Sequence, residues 1–283
     1  MYSYQDCWNY AFSLTENDKT ETIKNDIITI CQTNSKDFWL NFFRKNLTNF
    51  RYSVICNKLT RLINENYPIP YLVNQVAFYN LTFGIKKGVF IPQKDTELLI
   101  EKTLEISQKH WPKTKNLKIL DIGTGCGNIA ISLANCRPGW NFTATDISEN
   151  ALKIAKKNAF LQQTKNIEFC QSNLFANLEK RKFNIIVANP PYVSEKEYYL
   201  LAESAKQQPL KALVAMENGY WFYQQIIQQV PVFLTTKFLL VLEIGYQQAK
   251  RIIKIILRCL GKVKIKTFND YGGQPRLIVV YNF

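Results

Sequence analysis

From about Asp95 onward, strand-length apolar runs alternate with stretches of helical spacing, and this alternation restricts the possible folds of the 283-residue chain more than any other property. Apolar strands are legible at 117–122, 142–145, 167–170, 183–188, 238–244, 263–268 and 277–281. Amphipathic helices are expected between the first five, as in Ala151, Ile154, Ala155, Asn158 and Ala159. Right-handed crossovers through such helices build a parallel sheet covered on both faces. Only Asn269-Asp270-Tyr271-Gly272-Gly273-Gln274-Pro275 separates the last two runs. That is too short for a crossover helix, so these two strands are expected to pair as an antiparallel hairpin. The fold class is therefore α/β, a Rossmann-like seven-stranded sheet with its last strand antiparallel.

Residues 1 to about 65 contain no glycine and place apolar residues at helical spacing, as in Ile23, Ile27, Ile28 and Cys31, and again Phe38, Trp39, Phe42 and Phe43. A small helical bundle follows from that pattern. Asn34-Ser35 is expected to separate two of its helices, with Ser35 as an N-cap. Tyr67-Pro68-Ile69-Pro70 is expected to close the bundle with two helix-breaking prolines. The runs 76–83 and 89–91, divided by Gly84 and Gly88, read as a β-hairpin or short paired strands. The expected organisation is a helical bundle over 1–70, a hairpin linker over 71–94 and the α/β domain over 95–283.

No run approaches the length of a membrane span, and the residues after Met1 lack the basic and apolar regions of a signal peptide. A soluble cytoplasmic protein is expected. The seven cysteines form no CxxC pair, which favours reduced thiols over a disulfide framework. With a single histidine, His110, placed at a helix end, no metal site is expected. Net charge is +14 and unevenly spread: residues 1–75 carry eight Lys and Arg against seven Asp and Glu, the remainder 28 against 15. A basic body favours a negatively charged partner. Lys, Asn and Ile enrichment of the kind an AT-rich genome produces explains the same excess with no partner at all.

Three motifs carry the chemistry, each at the carboxyl end of an expected strand. Leu120-Asp121-Ile122-Gly123-Thr124-Gly125-Cys126-Gly127 follows the first strand and opens a helix, so its glycines let a ligand approach the helix N-terminus. The second strand ends in Asp146, an acid able to bind both hydroxyls of a ribose. A dinucleotide enzyme shares these devices, though with the spacing G-x-G-x-x-G. The fourth strand separates the readings, because it runs into Asn189-Pro190-Pro191-Tyr192 and hydride transfer has no use for that sequence. Two prolines make a stiff loop with free carbonyls. The Asn189 oxygen and the Pro190 carbonyl can each accept one N–H of a planar NH2 group while the Tyr192 ring lies against its plane.

Together these residues resemble the class I S-adenosylmethionine-dependent methyltransferases that act on planar exocyclic or amide nitrogens. Ile91-Pro92-Gln93-Lys94-Asp95-Thr96-Glu97, the Gly-rich loop, Asn-Pro-Pro-Tyr, Leu242-Glu243-Ile244-Gly245-Tyr246-Gln247, and Asp270 with Arg276 are more particularly similar to the HemK/PrmC family. The match runs in order through residues 67–283, whereas residues 1–66 match in helical character. Its members are peptide chain release factor glutamine N5-methyltransferases. The resemblance implies S-adenosylmethionine as cofactor, with Asp121, Gly123, Thr124, Gly125, Cys126, Gly127, Asp146 and Asn189 around it and Asn173 and Leu174 at the adenine. It also implies Asn189, Pro190, Pro191 and Tyr192 as the catalytic loop, and Asn189, Tyr192, Thr96 and Glu97 at the substrate. Where the family usually has Arg-Pro, this chain has Gln93-Lys94, so Lys94 is the nearby cation.

The implied reaction is methylation of the glutamine amide in the Gly-Gly-Gln loop of class I release factors, by a monomer with no stable nucleic-acid complex. An amide nitrogen is a poor nucleophile, and no His, Cys or carboxylate pair stands out as a base, so orientation is expected to do most of the work. Two rivals stand beside this reading. An adenine-N6 or guanine-N2 methyltransferase would offer the same donor pair to Asn-Pro-Pro-Tyr by base flipping. A non-catalytic relative would keep the cofactor fold and bind ribosomal or release-factor partners. The chain's own Gly272-Gly273-Gln274 is read as a hairpin turn.

Overall fold

The structure is a computed structural model that describes residues 1–15, 23–32, 35–179 and 181–283. The chain divides into two compact units, Met1–Gln75 with Ala202–Gln207, and Val76–Leu201 with Gln208–Phe283.

The first unit is helical: α1 (Tyr4–Ser13), α2 (Lys24–Ile30), α3 (Ser35–Leu40), α4 (Asn49–Glu65) and α5 (Ile69–Val73). Ser3 and Asp6 form a capping box at α1, and the Thr48 hydroxyl accepts from Arg51 N–H at α4, so both helices start on satisfied amide groups. Ile27, Ile28, Cys31 and Phe38 are buried as the helical spacing requires, whereas Trp39 is exposed and Phe42 and Phe43 lie beyond the end of α3, Phe43 on the surface. Asn34 lies outside the described residues, and α3 begins at Ser35. The helical stretch does not close at Pro68 and Pro70. Pro70 sits in the first turn of α5, where its missing N–H removes no intrahelical bond.

The second unit opens with a hairpin of β1 (Gln75–Phe78) and β2 (Leu81–Gly84). Tyr79 and Asn80 turn it with φ of 46° and 60°, the two left-handed residues a tight hairpin turn demands. Residues 89–91 are not a strand: Pro92 follows directly, and the Ile91 N–H donates to Gln208 Oε1 (2.9 Å) instead of a ladder partner.

Helices α6 (Glu97–His110), α7 (Asn128–Cys136) and α8 (Glu149–Leu161) intersperse with β3 (Lys118–Ile122), β4 (Asn141–Asp146) and β5 (Ile167–Gln171). Four more strands follow, β6 (Phe183–Ala188), β7 (Leu234–Glu243), β8 (Lys264–Asn269) and β9 (Pro275–Tyr281). Their order across the sheet is β5-β4-β3-β6-β7-β9-β8. Only β9 runs antiparallel, between β7 and β8. No helix lies between β5 and β6 among the described residues, contrary to the alternating pattern. There Ser172 Oγ donates to Leu174 O (2.9 Å) and accepts from Asn177 N (3.1 Å), tying a compact turn that buries Phe175 and Leu178. β7 begins four residues before its apolar run, because Thr235, Thr236 and Lys237 conceal its start.

Alternate residues of the central strands, Leu120, Ile122, Ile186, Leu240, Leu242, Ile278 and Val280, form one core with Tyr223, Ile226 and Ile227 of helix Trp221–Gln229 and Ile252 and Ile256 of helix Ala249–Leu260. Each such fully buried side chain contributes about 1.5–3 kcal/mol. The chain leaves β3 toward β4 on one side and returns to β6 on the other, so the sheet has its topological switch point between β3 and β6. Ile122 pairs with Ala188 there, and the Gly-rich loop and Asn189 leave the sheet side by side.

Candidate active site

The Gly-rich loop is braced from beneath. Asp121 is fully buried, and its Oδ2 accepts from Thr124 Oγ1 (2.7 Å) and from Ala130 N–H (3.2 Å) in the first turn of α7. Thr124 and Cys126 are buried as well. These three buried side chains brace the loop's shape. Gly127 serves packing, since a Cβ there would stand 2.7 Å from Ile131 Cδ1 and 3.1 Å from Ala155 Cβ. All three glycines have positive φ, but Gly123 and Gly125 differ from Gly127 in that a Cβ on either would project into open space.

Asp146 closes the loop from β4. Its Oδ2 accepts from Gly125 N–H (2.9 Å) and its Oδ1 from Ser148 N–H (2.8 Å), with Ile147 N–H also acting on the carboxylate, which keeps acceptor capacity for a further donor. Exposed Ile147 follows it, and Asn173 and half-buried Leu174 (φ 52°) follow β5. The sheet thus brings Gly123, Gly125, Asp146, Asn173 and Leu174 to one edge.

Asn189 stands at the end of β6 and donates its Nδ2 to Thr96 Oγ1 (3.1 Å). Its Oδ1 and the Pro190 carbonyl accept no hydrogen bond among the described residues. Tyr192 is fixed at both ends. Its carbonyl accepts from Gln248 Nε2 (3.0 Å), and its hydroxyl accepts from Arg276 Nη1 (3.4 Å). Burial pushes that phenol up to about 12, with Arg276 pulling the other way. Arg276 also pairs with Asp270 (3.0 Å) and Asp95 (3.8 Å), so the cation at the joint after Gln93-Lys94 comes from β9. Glu97 is engaged elsewhere, its Oε1 accepting from Tyr79 N–H in the hairpin turn (2.9 Å).

Burial raises the Asp121 carboxyl to about 7, against the opposing hydrogen bonds of Thr124 and Ala130. The folded state therefore holds a proton that the unfolded chain has released above about pH 4, and this stabilisation fades as pH rises through about 7. Wild-type thermal stability is expected to fall with pH between about 4 and about 7 relative to Asp121→Asn, the two profiles running parallel outside that window.

Residues 80–221 match the family model "Methyltransferase small domain". The chain is 33% identical over 253 residues to the release factor glutamine methyltransferase of Buchnera aphidicola subsp. Acyrthosiphon pisum, covering 89% of this chain and 88% of that one. The chain belongs to the release factor glutamine methyltransferase family. The corresponding protein of Fusobacterium nucleatum subsp. nucleatum is 37% identical over 79% of this chain, and the match spans 63% of that longer relative. The fold recurs in the catalytic domain of hMettl16 crystallised with a MAT2A 3′UTR hairpin, at a TM-score of 0.56 and 17% identity, covering 84% of this chain and 83% of that one.

As a member of this family, the chain is an enzyme whose cofactor is S-adenosylmethionine. Three of its side chains at the site were assigned no role from the sequence, although Glu243 lies inside the Leu242–Gln247 motif and Gln248 directly follows it. Asn158 of α8 donates to the carbonyls of Cys126 (2.8 Å) and Gly84 (3.0 Å), joining the Gly-rich loop to β2. Gln248 holds the Tyr192 carbonyl and also bonds Gly245 N–H and the Gly219 carbonyl. Glu243 is buried beside Thr96 and Asn189. An acid and an amide within otherwise apolar or helical runs were the available signals. The Gly272-Gly273-Gln274 segment is a turn organised by Asp270, whose Oδ1 accepts from Gly272 and Gln274 N–H (2.9 Å each).

Proposed function

We propose that this chain transfers a methyl group from S-adenosylmethionine to the side-chain amide of the glutamine in the Gly-Gly-Gln loop of class I release factors. The observation that carries the reading is the pair of unengaged acceptors, Asn189 Oδ1 and Pro190 O, at the switch point beside the Gly-rich loop. An NH2 group bound by both has its two N–H bonds fixed and its lone pair directed, which is the orientation an amide nitrogen lacks in solution. Tyr192, held by Gln248 and Arg276, provides the flat wall for that amide.

The residues fit the cofactor. Gly123 and Gly125 leave room for its amino-acid part, Asp146 keeps acceptor capacity for its ribose hydroxyls, and Ile147 and Leu174 are apolar surfaces for its base. When bound, S-adenosylmethionine supplies an electrophilic methyl group on a positively charged sulfur. Asn189 and Pro190 then stabilise the positive charge that builds on the substrate nitrogen, and one amide proton leaves to water. Asp146→Ala is expected to weaken cofactor binding about tenfold to hundredfold in calorimetry, the size of a lost charge-assisted hydrogen bond.

Exposed Leu40, Phe43 and Phe50 support the helical unit as a second contact surface for the large substrate. All seven cysteines are free, which supports a reducing, cytoplasmic setting, and no helix among the described residues is long and apolar enough to cross a membrane. We take the working form to be a monomer without a stable nucleic-acid complex. The test incubates the protein with methyl-labelled cofactor and a class I release factor or its Gln→Ala variant at the Gly-Gly-Gln loop, and locates label by peptide mass spectrometry. Label on that glutamine alone is expected; label only in added DNA or RNA would overturn the reading.

A further inference from the structure

Glu243 is the last residue of β7, next to β6 in a parallel register that pairs Leu242 with Ala188, so its side chain and that of Asn189 emerge from neighbouring strands at the same level. It is 2% exposed, and its Oε2 has no hydrogen-bond partner. A carboxyl placed so deep is costly unless something is gained. The sequence alternation explains the depth: Leu240 and Leu242 face the main apolar core, and Glu243 points to the opposite face, toward Thr96.

The donors around it fix a direction. An ionised carboxylate accepts only, so Thr96 and Asn189 act toward Glu243 as donors. With its proton turned to Glu243, the Thr96 hydroxyl has lone pairs left to accept the Asn189 Nδ2. One N–H of Asn189 is committed to Thr96, and the Glu243 carboxylate at the same level of the neighbouring strand is the acceptor that faces the other. The oxygen is the only part of that amide left for a ligand.

We propose that Glu243 and Thr96 are positioning residues that lock the Asn189 amide with its Oδ1 toward the substrate and, through Glu243's negative charge, strengthen that oxygen as an acceptor. The inference rests on the proposed glutamine methylation only for its kinetic consequence; the hydrogen-bond direction stands in the protein alone. Burial raises the Glu243 carboxyl to about 7, with the Thr96 and Asn189 donors and the Arg276 cation of β9 lowering it and Asp95 raising it further. Tyr192 also faces this charge, and Tyr223 donates to the Glu243 carbonyl (2.8 Å). The locking form is the ionised one, so it gains occupancy as pH rises through about 7.

The first measurement needs neither cofactor nor substrate. The Asn189 side-chain NH2 resonances of the isotopically labelled protein are followed across that pH range, in wild type and in Glu243→Gln. The proposal expects them to titrate near the Glu243 value in wild type and not in the variant; resonances that ignore pH would overturn it. In kinetics with a release factor, Glu243→Gln is expected to lower kcat about tenfold or more, the loss of one charge-assisted hydrogen bond, and to abolish the rise of kcat with pH, with KM little changed. Thr96→Val is expected to do the same and Thr96→Ser to restore activity, which serves if Glu243→Gln folds poorly. A wild type that labels the glutamine alongside variants with equal kcat and the same pH rise would overturn the positioning role alone. A wild type that labels no release factor would overturn the methylation reading, and the resonance titration would still decide the Asn189 lock.

Discussion

Asn189→Ala is expected to keep the fold and the cofactor affinity and to lose methyl transfer by about 10²–10³, the loss measured when one preorganised hydrogen-bonding group is removed from a reacting centre. The side chain is at the surface of the switch point, half-buried, and its amide makes few structural contacts beyond Thr96 and Glu243. Alanine at a strand end strains nothing. Single-turnover rates measured beside calorimetric cofactor binding separate the two effects, and a variant with unchanged rate would remove Asn189 from the mechanism.

The second large effect is expected from a residue that touches no ligand. Gly219 has φ of 86° and follows Glu217 and Asn218, themselves at φ of 55° and 57°. An alanine Cβ there would collide with the Tyr192 carbonyl oxygen and stand 2.7 Å from Gln248 Nε2, the group that holds that carbonyl. Backbone, not a flexible side-chain end, has to give way. Gly219→Ala is therefore expected to cost about 3 kcal/mol or more of stability, combining left-handed strain with overpacking. Because the segment that yields is the Tyr192 loop, kcat should fall further than the folded fraction. Chemical denaturation together with activity per folded molecule checks this, and full activity in a destabilised protein would show that the Tyr192 carbonyl tolerates displacement.

Why the first of these was readable in the sequence and the second was not has a physical basis. Strands β3, β4 and β6 are buried on both faces, so their apolar runs and the residues at their carboxyl ends, Gly123, Asp146 and Asn189, are visible without coordinates. The β8–β9 hairpin was equally legible, because seven residues cannot form a crossover. Residues 89–91 looked the same as a strand and are not one, since pairing depends on a neighbour that local sequence does not name. Gly219, Gln248 and Asn158 act by contacts across 27 to 74 residues of chain, and no spacing rule announces them. Glu97 has a partner the motif did not announce, the Tyr79 N–H of the hairpin turn, which binds one of its carboxylate oxygens.

The insertion of β9 between β7 and β8 bears on the order in which the protein assembles. A chain emerging from the ribosome presents β7 and β8 before β9, and those two strands have no direct pairing to make. β8 reaches the sheet only through β9, and the exposed Lys264 and Lys266 along it discourage edge-to-edge association with another chain. Arg276 arrives on β9 itself, so Tyr192 gains its guanidinium partner in the same event that joins β8 to the sheet. Closure of the sheet and completion of the site are then one step, and no partly synthesised molecule carries a finished active centre.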